Sequence, residues 1–144
     1  MFVYPFERLE AWSLAIDLTA AIYDQTKNFP TKEMYGLTIQ IRRAAISVSS
    51  NLAEGSGRIS KKDQAHFFSM SYSSLLEVLN QFIIAHRIGY ITDIDLQSIR
   101  GLIEKLSKKI AALRNATLNL IQKTNKNLIP LHSTLYPLQM VLST

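Results

Sequence analysis

Apolar residues recur at alternating three- and four-residue steps along four long segments of the chain, the spacing of one face of an α-helix. Residues that end helices lie at or near the segment boundaries: Pro30, Gly55, Gly57 and Gly89, with Pro130 and Pro137 in the tail. Because the connections are short, consecutive helices are expected to run antiparallel. The fold class is therefore all-α, an antiparallel up-down-up-down four-helix bundle, followed by an apolar, proline-containing tail. The predicted bounds are about 8–26, 32–54, 60–90 and 93–122 for the helices, 1–122 for the bundle and 123–144 for the tail.

The second helix is apolar on two opposite sides. Its core line comprises Leu37, Ile41, Ala45, Val48 and Leu52, and a second line on roughly the other side comprises Tyr35, Ile39, Ile46 and Ala53. A helix that is apolar on two faces is buried on two faces. An isolated bundle leaves one face of each helix in water, so we expect the outer surface of helix two or helix three to meet another subunit. The alternative is a larger core within one chain.

Charge is unevenly distributed, and all of the excess positive charge lies in the last third of the chain. The formal net charge is +5. Residues 1–95 hold 9 lysines and arginines against 10 carboxylates, whereas residues 96–144 hold 7 against 1. Such asymmetry favours a polyanionic partner. The candidate contacts with RNA or DNA are Arg100, Lys105, Lys108, Lys109, Arg114, Lys123 and Lys126.

The spacing of these cations indicates how they would bind. Lysines separated along one flank of a helix each contact a phosphate, which gives salt-sensitive binding without sequence specificity. Four lysines project on one flank of helix four in this way, and Lys126 joins them if the helix continues, whereas Arg100 and Arg114 project on the other flank. The four are Lys105, Lys108, Lys109 and Lys123. Two alternatives stay open: a solvated lysine face, and a scaffold protein whose apolar outer face docks a partner protein.

A polar stripe interrupts the apolar surface of helix two. Its members fall within about 80° of one another at 100° per residue. Polar groups that are buried must be hydrogen bonded, so we expect a structural network that joins Arg42 or Arg43 to Glu54 or Glu77 and holds helix two to helix three or to a neighbour. The alternative is a ligand site. The stripe comprises Gln40, Arg43, Ser47, Asn51 and Glu54, and the further members of the expected network are Arg42 and Glu77.

Candidate catalytic chemistry is sparse. The chain has no cysteine, and its 3 histidines stand outside any metal-ligand motif. Gly55-Ser56-Gly57 follows a helix and has no Lys-Ser or Lys-Thr ending, so it is interpreted as a helix stop and not as a phosphate loop. Neither a signal peptide nor a membrane span is apparent. We therefore expect a cytoplasmic, non-enzymatic protein without metal, cofactor or membrane contact.

The run Gln40–Arg58, which reads QIRRAAISVSSNLAEGSGR, is distinctive. It resembles the four-helix-bundle family named for reading frames inside intervening sequences of bacterial large-subunit ribosomal RNA genes, some of whose members are labelled S-twenty-three ribosomal proteins. The resemblance covers about residues 6–120. Its other matching pieces are Leu9-Glu10-Ala11-Trp12 with Ala15, Phe29-Pro30 followed by Glu33, Tyr35-Gly36-Leu37, and Ser74-Leu75-Leu76-Glu77.

The resemblance implies a left-handed up-down-up-down bundle that assembles into a ring, typically a homopentamer. A related branch comprises the accessory proteins of diversity-generating retroelements, which are basic rings that bind reverse transcriptase and nucleic acid. No member is an established enzyme. This chain departs from the pattern at Ser49, where many members have proline, and in its apolar tail beyond Gln122. Both departures bear on the expected ring.

Overall fold

The computed structural model describes residues 1–133 of the chain, with side chains through residue 128. Over these residues the protein is all-α, with four helices and no strand, which confirms the predicted fold class at this level. Short 3-10 turns at Pro5–Arg8 and Thr31–Glu33 precede the first and second helices. The helices are α1 (Glu10–Thr26), α2 (Leu37–Ser56), α3 (Lys61–Arg87) and α4 (Asp93–Ser133).

The start of α2 corrects the predicted start near residue 32. Gly36 has φ −111° and ψ −117°, which is not helical, so the helix begins only at Leu37. The Glu33 side chain folds back over this junction, where its Oε2 accepts a hydrogen bond from the Leu37 backbone N–H at 3.1 Å. From Leu37 the helix continues without interruption through Ser49 to Ser56.

Local caps set both ends of α3 and the start of α4. Ser60 Oγ accepts a hydrogen bond from the Asp63 backbone N–H at 3.0 Å and starts α3, as the sequence predicts. α3 ends at Arg87, because Gly89 has a positive φ of 86° that turns the chain out of the helix. Thr92 and Asp95 then cap each other, with the Asp95 N–H donating to Thr92 Oγ1 at 3.1 Å and the Thr92 N–H donating to Asp95 Oδ2 at 3.2 Å.

α4 is longer than predicted, because it continues to Ser133 instead of ending near Gln122. The segment 123–129 contains neither glycine nor proline, so nothing in it stops a helix. Among the described side chains of α4, the last buried one is that of Thr117, and those of 118–128 are exposed or half-buried. We call residues 118–133 the α4 extension. The remainder of the predicted tail, residues 134–144, lies outside the described residues.

The core lies between the four helices. α1 packs against α2 and α4, and α3 packs against the same two helices. Burial of each large apolar side chain contributes about 1.5–3 kcal/mol relative to exposure, so this cluster accounts for the main stabilisation of the fold. The largest fully buried apolar side chains are Leu18, Ile22, Ile41, Val48, Leu52, Leu75, Val78, Phe82, Ile99, Leu106 and Ile110.

The second apolar line of α2 is exposed in the single chain. Tyr35 is 91% exposed, Ile39 39% and Ile46 44%, whereas Ala53 is half-buried. Ile16 and Tyr23 of α1 are each 41% exposed. At 100° per residue they lie on the flank of α1 that faces α2. We call the exposed residues of the second apolar line, together with the two residues of α1, the α1–α2 face. It comprises Ile16, Tyr23, Tyr35, Ile39 and Ile46.

Candidate nucleic-acid interface and polar stripe

The candidate cations of α4 divide between its two flanks. The buried line of α4 runs through Ile99, Leu106 and Ile110. Relative to this line, Lys105, Lys109 and Lys123 lie on the flank toward α1, with Lys108 and Lys126 on the outermost surface. All five of these lysines are exposed. We call these five lysines the lysine flank.

Two lysines of the lysine flank form ion pairs. Lys108 Nζ lies 2.7 Å from Oε1 of Glu104, and Lys109 Nζ lies 2.8 Å from Oε2 of Glu10 in α1. Lys109 lowers the pKa of Glu10 through its hydrogen bond and its charge, and Lys105 adds to the effect. Lys108 lowers the pKa of Glu104 in the same way. Exposed pairs of this kind contribute little to stability, so a phosphate can replace the carboxylate at either lysine.

The other three lysines of this flank form no ion pair with a described side chain. Within the part of the chain whose side chains are described, Lys105, Lys123 and Lys126 have no ion-pair partner. Two of them, Lys123 and Lys126, lie on the α4 extension, beyond the packed part of the bundle. Their ammonium groups are therefore available to a polyanion without the loss of an internal contact.

Arg100 and Arg114 lie on the opposite flank of α4, beside α3. The Arg114 guanidinium lies 5.4 Å from the centroid of the Tyr72 ring, within the range of a cation–π contact. Arg100 lines a groove of about 250 Å³ with Tyr72, Leu76 and Glu104, among others. At 100° per residue, Arg100 and Arg114 are rotated from Lys108 by about 80° and about 120° toward α3, away from Lys105, Lys109 and Lys123.

The polar stripe of α2 lies beside α3, and its middle is hydrogen bonded. Ser47 Oγ lies 3.0 Å from Ser74 Oγ of α3. Asn51 Nδ2 donates to the backbone oxygen of Ser47 at 2.9 Å and to its Oγ at 3.1 Å. One helical turn away, buried Ser71 Oγ donates to the Val48 backbone oxygen at 2.7 Å. These bonds join α2 to α3, but through Ser74 and Ser71 of α3, which were not among the candidates.

The charged residues of the expected network form no ion pair with one another among the described side chains. Glu54 lies 3.7 Å from Arg58 instead, and Glu77 Oε1 accepts a hydrogen bond from Gln81 Nε2 at 3.2 Å. Gln40 and Arg43 are exposed. Over the described side chains, neither Arg42 nor Arg43 forms an ion pair with Glu54 or Glu77. The expected ionic network is therefore absent within the single chain.

Arg42 points to α1 and not to α3. Its Nε donates to buried Thr26 Oγ1 at 2.9 Å, and its guanidinium lies 4.4 Å from the centroid of the Tyr23 ring. The reason is geometric, because Arg42 follows Ile41 by one residue and is rotated by about 100° toward the α1 flank of α2. Thr26 and Tyr23 were not among the candidates. Their spacing of three residues on α1 was the only sequence signal for them.

Three further findings concern membrane spans, metal sites and His86. Within residues 1–133, no helix is both long and apolar enough to cross a bilayer. Over the same residues, no three His, Asp or Glu side chains come together as a metal site requires. His86 Nε2 contacts Asp93 Oδ1 at 2.6 Å across the α3–α4 connection. This histidine is half-buried and not part of the core, since the ring turns toward α4.

Comparison with known proteins extends this description. The sequence model of one family, described as 23S rRNA-intervening sequence protein, matches residues 7–112. Curated proteins include no match to the chain. The matched region runs from the Pro5–Arg8 turn into the middle of α4, and it excludes Arg114, Lys123 and Lys126. Because it spans well over half of the 144 residues, the chain belongs to the 23S rRNA-intervening sequence protein family.

Proposed function

We propose that this protein is a non-enzymatic, self-assembling bundle that binds RNA or DNA through the outer surface of α4. The observation that carries the proposal is the lysine flank: five exposed lysines on one side of a helix, of which three have no ion-pair partner among the described side chains. Phosphate contacts from such a surface supply affinity without sequence readout.

Self-assembly is the second part of the proposal, and it rests on the α1–α2 face. Contiguous exposed apolar side chains mark interaction surfaces in soluble proteins. An up-down-up-down bundle places this face on the side of the molecule, where a second copy has access to it. Contacts between two different faces of identical subunits generate closed rings when the rotation closes. We propose a ring-like homo-oligomer, with the pentamer as the form that the family resemblance implies, and such a ring repeats the lysine flank in each subunit.

Binding at two salt concentrations tests the proposal. We expect fluorescently labelled structured RNA or duplex DNA to bind at low salt and to be released steeply as salt rises, because each phosphate contact contributes about one unit to the slope of log K against log salt. The triple variant Lys105→Gln, Lys123→Gln, Lys126→Gln should reduce that slope by about 3. Light scattering on the same samples gives the mass of the binding species.

A matched control separates position from net charge. The variant Lys27→Gln, Lys32→Gln, Arg87→Gln removes three exposed cations from other elements and should leave the salt slope near its original value. Equal losses from both triple variants would mean that net charge alone drives binding. If the protein binds no nucleic acid even at low salt, the lysine flank is a solvated surface and the proposal fails.

The second candidate is a scaffold that docks a partner protein, such as a reverse transcriptase, on its apolar surface. The α1–α2 face favours it, since this face fits a protein partner as well as another subunit. An apolar interface responds weakly to salt, so binding of a partner protein that persists at high salt would favour this function. A monomeric mass by light scattering would also favour it, because the face would then be free.

A further inference from the structure

The N-terminal residues 1–9, which we call the N-terminal strap, present a ladder of aromatic rings. The Phe2 and Tyr4 centroids are 5.1 Å apart, and those of Tyr4 and Phe6 are 6.2 Å apart in a stacked arrangement. Phe6 then meets Trp12 of α1 at 5.0 Å, edge to face. Trp12 packs against the hydrophobic core. The ladder thus begins at the core and ends in solvent.

The outer rings are held in position but are not buried. Phe2 is 75% exposed and Tyr4 is 58% exposed. The backbone at Tyr4 is fixed, because its N–H donates to Glu7 Oε2 at 2.6 Å and the Glu7 N–H donates to the Tyr4 backbone oxygen at 3.1 Å, and the Phe2 ring contacts the Tyr4 ring. The Pro5–Arg8 turn itself packs against α1 and α2. Exposed rings on an ordered backbone offer contact area at little further entropic cost.

The strap lies at the end of the bundle from which the α4 extension emerges. Pro5 and Leu9 line a groove of about 320 Å³ together with Lys61 of α3 and Leu120 of α4. Leu9 also lines a smaller groove with Lys109. Lys109 and Lys123 are separated by 14 residues, or about 21 Å along the helix. The strap therefore meets α4 between two lysines of the lysine flank.

We propose that the rings of Phe2 and Tyr4 stack on the bases of single-stranded nucleic acid whose phosphates contact the lysine flank. The proposal rests on the proposed function and specifies its ligand. Stacking on exposed aromatic rings together with a cationic track is how proteins bind single strands without sequence preference. Bases within a duplex already stack on one another and offer no free faces. Duplexes therefore contact the lysines alone, and the ladder distinguishes single strands from them.

The test compares an unstructured oligouridylate and an oligothymidylate with a hairpin duplex, on the full chain, by fluorescence anisotropy. The double variant Phe2→Leu, Tyr4→Leu keeps apolar side chains but removes the two ring faces. We expect its affinity for both single strands to fall about tenfold or more, since stacking on one ring contributes about 1–3 kcal/mol per base. Its affinity for the duplex should be unchanged. Titration of wild-type protein with either single strand should also quench the tyrosine fluorescence.

Two control variants locate the effect in the aromatic rings. Tyr4→Phe retains the ring and should retain single-strand affinity. Ile59→Ala removes an apolar side chain that is fully exposed in the α2–α3 connection at the same end of the bundle, and it should also bind normally. Both variants change exposed side chains, so folding is not at stake, and circular dichroism verifies this.

The outcomes separate this inference from the proposed function. If the double variant binds single strands as wild type does while duplex binding persists, the ladder is not a stacking site, and the proposed function stands. If the double variant instead changes the mass measured by light scattering, the ladder is a subunit contact and the inference is overturned. If wild type binds no nucleic acid at low salt, both proposals fail together.

Discussion

Replacement of Gly55 by alanine tests how closely α2 and α3 approach each other near the end of α2. Gly55 is buried, and a Cβ atom there would lie 2.8 Å from Cε1 of Phe68 and 2.9 Å from Cβ of Phe67. The Phe67 Cβ is bonded to the backbone of α3, so rotation of a side chain cannot relieve that contact. The two helices must move apart, and the Phe68 ring must leave its buried position.

The expected cost follows from two opposing effects. Added atoms in a well-packed core cost about 1–3 kcal/mol. Alanine has a higher helix propensity than glycine by about 1 kcal/mol in a helix interior, and by less near a helix end. The contact is the larger effect, so Gly55→Ala should lower the free energy of unfolding by about 1–2 kcal/mol. For a domain of this size the melting temperature should fall by about 3–6 °C.

Gly101 provides the matched control for this prediction. It lies exposed within α4, and a Cβ there would meet nothing within 4 Å. Gly101→Ala therefore gains helix propensity without a contact and should raise the free energy of unfolding by about 0.5–1 kcal/mol. Thermal and urea unfolding followed by circular dichroism, at one fixed protein concentration, measures both variants. A Gly55→Ala protein as stable as wild type, beside a stabilised Gly101→Ala protein, would refute the close approach of the two helices.

Two further predictions concern polar contacts. Thr26→Val removes the hydroxyl that accepts from Arg42 Nε, so it should lower the free energy of unfolding by about 1–2 kcal/mol; Thr26→Ser, measured in the same urea titration, should recover most of that loss, and equal losses would contradict the role of the hydroxyl. The pKa of Glu33 lies below its ordinary value of 4.5, because its carboxylate accepts hydrogen bonds from the Leu37 N–H and from the Tyr90 hydroxyl. This contribution to stability is present above about pH 4.5 and is lost as pH falls through the lowered pKa, so Glu33→Gln should reduce the pH dependence of the melting temperature below pH 4.5, and an unchanged profile would contradict it.

The four helices could be predicted because their apolar spacing is regular, but their ends depend on particular side-chain contacts. The start of α2 is set by Gly36 and by the Glu33 carboxylate, whose contacts with Leu37 and Tyr90 need the folded chain. The apolar spacing predicts the end of α4 too early, because that spacing reflects packing against the core. Among the described side chains of α4, the last buried one is that of Thr117. Neither glycine nor proline lies between Thr117 and Ile129, so the helix continues past the point where packing ends, and it extends over Pro130 to Ser133.

The partners of the candidate residues were the less predictable part. Arg42 and Arg43 are adjacent in sequence, yet a rotation of about 100° directs the first toward α1 and leaves the second in solvent. The pair between Lys109 and Glu10 joins residues 99 positions apart. The apolar periodicity of one helix assigns each of its residues to a flank. The residue that accepts a hydrogen bond there belongs to a neighbouring helix, and the periodicity does not give the rotation of that neighbour about its own axis.

The length of α4 has a consequence for the range over which its charges act. A helix of 41 residues is about 60 Å long, and Lys123 and Lys126 lie about 28 and 33 Å along it from Glu104. In physiological salt the potential of an exposed charge decays over a Debye length of about 8 Å. The two lysines of the α4 extension therefore lie several Debye lengths beyond Glu104, and its ion pair with Lys108 does not weaken their field. A polyanion of the kind proposed here, if it approached the α4 extension, would therefore sense these two charges alone until it came within about a Debye length of the rest of the lysine flank.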